Sequence, residues 1–410
     1  MTQAYCLAIT TNGPGEFGGW VRPLLAALYE RTPAASVHLF FVPDDYATGK
    51  ESDVARTTFP QAHVYPPSVY AQVALGRAVE GLPARFDAVQ YLGGDLMHAV
   101  RLAKRFSAKA FTYKFSRPRY RETFQRAFAV DMANVDQLIH WRTPRERILL
   151  AGNLAIDGAL SEASQAPEPG APAGGILIMP GSRRHEVEQL IPFFFTMALR
   201  IVRERPQIPV AFGISPFTSL QDVRRAVEAG GDARVFASSG QLCEDEDGNG
   251  PYLTDRAGGP RFPILRRALT AAKSARLVVT IPGTKTIEVA ALGTPMVAIT
   301  PLNAPELISI NGPLTYLDRL PLVGAALKRS AVLAASRRFR YFAQPNIDAG
   351  RALIHELRGT LTPGHVARTV LERFDDEAWL ESSGRALAHL HADHVGAAER
   401  MAIGIEESLA

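Results

Sequence analysis

The chain predicts an α/β protein built from two Rossmann-like, doubly wound parallel-sheet domains facing a central cleft. Three observations carry the prediction. A length of 410 residues at 47% apolar content exceeds what one comfortable core holds, so two domains of ordinary size are expected. Short apolar runs alternate with segments of helical periodicity in both halves, which is the pattern of βαβ units. Between them, Ser161–Gly175 reads SEASQAPEPGAPAGG, a Pro/Gly/Ala/Ser stretch without apolar periodicity that suits a linker.

In the first half, Ala4–Thr10 is an apolar run leading into the turn-rich Asn12–Gly19, after which Trp20–Tyr29 has helical spacing. Ser36–Val42 and Phe86–Leu92 read as strands, the second followed by Gly93-Gly94-Asp95 and a helix over Leu96–Phe106; Ala108–Phe115 reads as a further strand. In the second half the series is strand Ile176–Met179, a helix from about Arg183 to Arg203, strands Val210–Ile214 and Leu277–Ile281, a helix near Ile287–Leu292, and strand Met296–Thr300. The domain plan is therefore 1–160, a linker at 161–174, 175–362 with an exposed insertion at 241–263, and helices over 363–410 that pack across both domains. Ligands of open α/β sheets bind outside the carboxyl ends of the strands, so glycine loops at those ends should face the cleft.

Composition narrows the classes. Charged residues at 21%, with 33 Gly and 29 Pro dispersed, describe a globular enzyme-sized protein rather than a disordered or fibrous one. No basic n-region opens the chain and no window holds the roughly 18 to 20 apolar residues that span a bilayer, so a cytoplasmic protein is expected. Cys6 and Cys243 are the two cysteines; lacking CxxC or Cys/His spacing, they fit a reducing compartment without structural zinc. From Arg101 to Arg126 the chain carries nine Lys or Arg, Arg117 and Arg119 among them, against the single acid Glu122. Phe106, Phe111, Tyr113, Phe115, Tyr120 and Phe124 are interleaved, and Lys328–Phe342 repeats the theme with Arg337, Arg338 and Arg340. Such stretches attract the phosphates of anionic lipid, of nucleic acid or of a phosphorylated substrate, or are simply a solvated basic surface. No RRM, KH or helix-turn-helix signature supports nucleic acid, and the preferred reading is peripheral contact with the inner face of the cytoplasmic membrane.

Two loops carry the chemistry. Pro180-Gly181-Ser182-Arg183-Arg184 follows a strand and opens a helix, with Ser182 placed as N-cap. The free N–H groups and positive dipole end of such a helix favour a phosphate, and Arg183 or Arg184 can grip phosphate oxygens in fork geometry without a metal; the alternative pairs these arginines with Glu186 and Glu188. Pro282-Gly283-Thr284-Lys285-Thr286 has the same grammar, and Glu288, in the first helical turns behind it, either accepts hydrogen bonds from ribose hydroxyls or complements the helix dipole. Neither loop is a Walker or a G-x-G-x-x-G motif, which lowers ATPase and dehydrogenase readings. Asp245, Asp247, Asn249 and Gly250 match the opening of a calcium loop, but its twelfth position is Arg256, which disqualifies it. His389, His391 and His394, at helical offsets of two and five, are expected to scatter as surface residues rather than hold a metal.

The segments MPGSRRHEVEQLIPFF, AKSARLVVTIPGTKTIEVAALGTPMVAIT and QPNIDAGRALIHELRGTLTP, in this order, resemble the C-terminal half of bacterial lipid-A-disaccharide synthases. The resemblance covers about half the chain. It implies a GT-B fold with the nucleotide-sugar domain at the C-terminal side and the acceptor domain at the N-terminal side, and UDP bound by Arg183, Thr284, Thr286, Glu288 and Asn346. Pro14-Gly15-Glu16-Phe17-Gly18-Gly19-Trp20 is similar to that family's A-G-E-x-S-G-D loop, with serine and aspartate replaced. Gly93-Gly94-Asp95 is similar to its G-I-D-x-P-D segment, with Leu96-Met97-His98 where the proline and second aspartate would fall.

The activity so implied is transfer of a hexosamine-type sugar, with inversion, from a UDP-sugar to a hydroxyl of a lipid-linked, phosphorylated acceptor. No metal or other cofactor is expected, because Arg183, Arg184 and the helix N-termini can stabilise the departing diphosphate. Asp95 is the favoured proton acceptor, with Glu16 and His98 as the other candidates; the alternative for Asp95 is to cap the helix beginning at Leu96. Gly15, Gly18, His98, Arg117 and Arg119 fall on the acceptor side. Two rival readings remain, a UDP-sugar 2-epimerase of the same fold and a relative that binds UDP without catalysis.

Overall fold

The structure, a computed structural model, describes residues 4–43, 49–181, 184–230, 240–244, 250–303 and 339–410, with the backbone alone at 184 and 185. The chain divides into two compact units, Met1–Ser161 with His391–Ala410, and Glu162–Leu390. The boundary falls inside a helix, Leu154–Ala163, so the residues that read as the start of a linker continue a helix of the first unit. The remainder of that stretch is tied to the second unit: the Glu168 carboxylate accepts from the backbone N–H groups of Arg266 at 2.7 Å and Arg267 at 2.6 Å.

The first unit is built on a seven-stranded sheet of β1 (Cys6–Thr11), β2 (Ser36–Phe41), β3 (His63–Tyr65), β4 (Ala88–Tyr91), β5 (Lys109–Tyr113), β6 (Phe124–Ala129) and β7 (Ile148–Leu150). Its order is β3-β2-β1-β4-β5-β6-β7 and every pairing is parallel. Strands covered on both faces read as continuous apolar runs, which is why Leu7–Ile9 and Val37–Phe41 are legible. The order reverses between β1 and β4, so the switch point lies where the loops after these two strands leave the sheet. The loop after β1 is itself largely helical: Pro14–Glu16 forms a short α turn and Phe17–Val21 a π-helix that runs into the Arg22–Arg31 helix. Pro23 lacks an N–H and its ring crowds the carbonyl four residues back, which accounts for the widened turn.

The helix Ala397–Leu409 belongs to this unit. Arg31 grips the Glu406 carboxylate through Nε at 3.1 Å and Nη2 at 2.7 Å, and the Thr32 hydroxyl donates to it at 2.9 Å. Asp157 receives the backbone N–H groups of Gly396 and Ala398 at 2.8 and 2.7 Å, satisfying donors that a helix start leaves orphaned. The predicted block 363–410 is thus divided, with Pro363–Asp375 and Glu377–Leu390 in the second unit.

The second unit carries eight strands: β8 (Ile176–Met179), β9 (Val210–Gly213), β10 (Gln241–Cys243), β11 (Tyr252–Thr254), β12 (Phe262–Leu265), β13 (Leu277–Thr280), β14 (Met296–Pro301) and β15 (His355–Gly359). The order is β10-β11-β12-β9-β8-β13-β14-β15. The sheet is parallel from β12 to β15, but β10, β11 and β12 pair antiparallel, so 241–263 is an edge extension of the sheet rather than a wholly exposed insertion. Phe262 within it is buried against Phe195 and Phe212. Phe193, Phe194 and Phe195, on the helix Arg184–Glu204, anchor the core. Among the described residues no helix is long and apolar enough to cross a membrane.

The basic–aromatic segment resolves into core and surface. Phe111, Tyr113 and Phe124 are fully buried strand residues, and Phe106, Phe115 and Tyr120 pack partly buried against the cluster that contains Phe124. Arg101, Lys104, Arg105, Arg117, Arg119 and Arg121 are exposed. The interleaving reflects alternate faces of strands and helices, which leaves the fully buried rings no part in a membrane contact. The histidine expectation also changes: His391 is buried, and its ring meets that of His394 edge to face at 5.2 Å, because the helix ends at Leu390. Asp245, Asp247, Asn249, Arg337 and Arg338 lie outside the described residues.

Candidate functional site

In each unit a glycine loop singled out by sequence lies at the switch point of its own sheet. In the first, the loop after β4 turns through Gly93 (φ +140°) and Gly94 (φ +79°) against the segment after β1. A Cβ on Gly93 would stand 2.4 Å from Asn12 Oδ1 and 3.0 Å from Glu16 Cγ, so only glycine lets the two loops approach. This brings Glu16 beside the loop bearing Asp95. Asp95 caps the Leu96–Phe106 helix, its Oδ1 accepting from Met97 N–H at 2.8 Å, and its Oδ2 lies 3.7 Å from Arg117 on the loop after β5. Both carboxylates and Arg117 act on Tyr91, whose hydroxyl donates to the Gly94 carbonyl at 2.8 Å and whose acidity is suppressed by burial and then by Glu16 and Asp95. His98, one turn into the helix, is half-buried with Nδ1 2.7 Å from the Tyr70 hydroxyl. Burial lowers its pKa, Asp95 opposes this, and Arg101 adds to it.

The remaining acceptor-side residues are peripheral to this cluster. Gly15 is exposed; the Gly18 carbonyl sits 3.5 Å from where a Cβ on Gly158 would be, marking helix packing. Arg119 lies over the Tyr120 ring at 4.5 Å. Two participants escape sequence reasoning. Tyr70 comes from a helix, Pro67–Ala74, in a stretch without a motif, and nothing in its neighbours announces it. Ser116 is buried and its Oγ has no hydrogen-bond partner among the described residues; its place before Arg117, on the loop after β5, was a usable signal.

In the second unit the switch point lies between β8 and β13, paired from Ile176↔Leu277 to Met179↔Thr280. Pro180-Gly181 and Pro282-Gly283 leave these adjacent strands side by side. Gly181 (φ +106°) approaches Ile281, a Cβ there falling 2.9 Å from its Cδ1 and 2.4 Å from Glu186 Oε2. Ser182 and Arg183 lie outside the described residues, and of Arg184 only the backbone opening the helix is described. Behind the second loop, the Thr284–Ala291 helix starts without a side-chain cap after Gly283; the Thr286 N–H turns back to the Gly283 carbonyl at 3.0 Å, and the N–H groups of Thr284 and Lys285 are the ones a ligand could take. Thr284 is exposed there. Thr286 is fully buried and its hydroxyl donates to the Gly283 carbonyl at 2.7 Å. Glu288 is buried and paired with the half-exposed Lys285.

Asn346 is the largest departure from expectation. Its Nδ2 donates to Ile354 O at 3.1 Å and Glu356 Oε1 at 2.7 Å, while its Oδ1 accepts from Leu353 and Ile354 N–H at 2.7 and 2.9 Å. Every hydrogen-bonding position of the amide is filled, so in this conformation Asn346, like Thr286, shapes the backbone. It also lines a pocket of about 340 Å³ with Arg340, His355 and Arg358.

No protein-family model matches the chain. It is similar to the lipid-A-disaccharide synthase of Ruegeria pomeroyi, at 30% identity over 128 residues covering 31% of this chain and 27% of that protein. It is also similar to that of Acinetobacter baylyi, at 26% identity over 211 residues covering 51% and 42%. The alignments thus span less than half the length of these curated relatives. Among solved structures, a putative UDP-N-acetylglucosamine 2-epimerase from Listeria monocytogenes superposes with TM-score 0.60 at 14% identity, over 99% of this chain and 96% of that one. The S. aureus MnaA–UDP co-structure gives TM-score 0.60 at 14% identity, over 99% and 97%. The glycotransferase of kitacinnamycin gives 0.51 at 16%, over 100% of both. These likenesses establish the GT-B type of fold, two doubly wound α/β domains with C-terminal helices.

Proposed function

We propose that the protein is an inverting glycosyltransferase that moves a hexosamine-type sugar from UDP to a hydroxyl of a lipid-linked, phosphorylated acceptor. The observation that carries this reading is the parallel pairing of β8 and β13 at one switch point, which sets Gly181 beside Ile281 with a helix beginning soon after each strand. A diphosphate suits such a pair, with Arg183 and Arg184 adding guanidinium charge. The partial relationship to lipid-A-disaccharide synthases and the UDP in the S. aureus neighbour support UDP as the nucleotide.

Gly181, Ser182, Arg183, Arg184 and Thr284 then hold the diphosphate, Thr286 keeps the second loop in shape through Gly283, Asn346 fixes the backbone at Leu353 and Ile354, and Glu288 exchanges Lys285 for ribose hydroxyls. As the acceptor oxygen bonds to the anomeric carbon, its proton passes to a carboxylate, Asp95 or Glu16, and the bond to UDP breaks with its electron pair staying on the diphosphate. The guanidinium groups of Arg183 and Arg184 and the helix N-termini stabilise that charge, a contribution of about 3 kcal/mol per donor in comparable sites. The acceptor is presented where the exposed bases Arg101–Arg121 meet an anionic membrane surface. Mass spectrometry of products from UDP-N-acetylglucosamine and a membrane lipid extract tests the reading. A glycosylated lipid with release of UDP supports it; a 2-epimer of the UDP-sugar formed without lipid, or unchanged donor, contradicts it.

A further inference from the structure

The Tyr70–His98 pair fixes the chemical identity of one group at the first unit's switch point. Tyr70 is 2% exposed, and its hydroxyl meets Nδ1 of His98 at 2.7 Å with the rings 5.0 Å apart and nearly perpendicular. A buried phenol whose proton finds no acceptor is destabilised by about 1 to 3 kcal/mol. Nδ1 is the acceptor at hand, and it accepts only if it carries no proton; in a neutral imidazole the proton is then on Nε2. Burial keeps the phenol protonated, its pKa pushed up to about 12, so the hydroxyl remains the donor of the pair. The ring itself resists a second proton, because burial and the Arg101 charge outweigh the Asp95 carboxylate facing it.

The other edge of the imidazole faces the glycine loop. A Cβ on Gly94 would lie 3.7 Å from His98 Cδ2, the carbon next to Nε2, and the Gly94 carbonyl already accepts from Tyr91. Nε2 makes no hydrogen bond with any described residue.

We propose that His98 is a substrate-binding donor that presents a neutral Nε2–H to an uncharged oxygen of the acceptor, and that Tyr70 is the positioning residue that sets this tautomer. A neutral donor suits a hydroxyl or amide carbonyl, leaving phosphate to the arginines and proton abstraction to the carboxylates. The ligand assignment rests on the transferase reading above; the tautomer does not.

Two measurements on the full chain decide it. In long-range ¹H–¹⁵N spectra at pH 7.5, with the ring assigned by His98→Gln, Nε2 carries the proton and Nδ1 does not, and Tyr70→Phe increases the Nδ1–H form. A ring already charged at pH 7, or protonated on Nδ1, overturns the proposal. With UDP-N-acetylglucosamine and lipid extract, His98→Phe raises the acceptor KM about ten-fold or more, the worth of one hydrogen bond, at unchanged donor KM. His98→Gln, whose amide N–H replaces Nε2–H, stays within about three-fold of the parent, a difference well under one hydrogen bond. Equal KM for parent and His98→Phe, or a Gln variant as poor as Phe, overturns it. A parent chain that transfers no sugar defeats the transferase reading and the ligand assignment together, while the spectra still decide the tautomer.

Discussion

Asp95 does two things at once, and its substitutions separate them. Asn retains an oxygen for the Met97 N–H, so Asp95→Asn should melt close to the parent yet transfer sugar at about one hundredth of the rate or less if the carboxylate takes the proton. Asp95→Ala should in addition lose about 1 kcal/mol of stability with the cap. Full activity of the Asn variant would remove Asp95 as the base. The Arg117 contact, at 3.7 Å between half-exposed groups, contributes little to stability. Away from the site, His38 is buried between His63 and Tyr65, its Nδ1 3.0 Å from the Tyr65 hydroxyl. Burial and then the neighbouring His63 hold its pKa down to about 4 from 6.5. A depressed folded pKa means the neutral form is what the fold accommodates, so stability is present above pH 6.5 and is lost as pH falls toward 4, by up to about 3 kcal/mol. Urea melts at pH 7.5 and 4.5 should differ less in His38→Gln than in the parent; equal losses would exclude His38 as the source.

At the scale of elements, the C-terminal helix is the part whose position the sequence did not disclose. Helical spacing revealed that it forms, but not that Glu406 would meet Arg31 and Thr32 across 375 positions of chain. Glu406→Ala should lower the stability of the first unit by about 1 kcal/mol, since it removes the hydrogen-bonded partner of Arg31 and the acceptor of the Thr32 hydroxyl and leaves Arg31 the longer Glu399 contact at 4.0 Å; a change below about 0.5 kcal/mol in chemical denaturation would show the contact to be incidental. Loops were more legible than edges. Glycine after an apolar run marked both switch points, because a strand end that must turn and admit another loop excludes Cβ. Strand β6, FQRAFA, was hidden because Gln125 and Arg126 broke the apolar run, and Leu154–Ala163 because its small residues resemble a linker. The edge strand β10 and its neighbour β11 are three residues long, too short for alternation to register. Gly181 tests the loop reading: Gly181→Ala forces a Cβ onto Glu186 at φ +106°, with an expected loss of about 1 to 3 kcal/mol and weaker UDP binding in calorimetry. Unchanged UDP affinity would mean the loop does not hold the nucleotide.

For the molecule as a whole, alternation of strands and helices was enough to predict two doubly wound units, and the motif order was enough to suggest their type. What the sequence could not convey was which side chains are occupied by the protein itself. Asn346 matched a motif yet fills all its hydrogen bonds internally, whereas Glu288 is held in an ion pair with the half-exposed Lys285. In the proposed function the second unit binds UDP through the paired loops with Glu288 on the ribose. Isothermal titration of the full chain with UDP, alongside Glu288→Gln and Arg183→Ala, tests it most directly. Measurable binding by the parent and a loss of about ten-fold or more in each variant, the worth of a charge-assisted hydrogen bond, are expected. Binding that is absent in the parent, or equal in all three proteins, would contradict it.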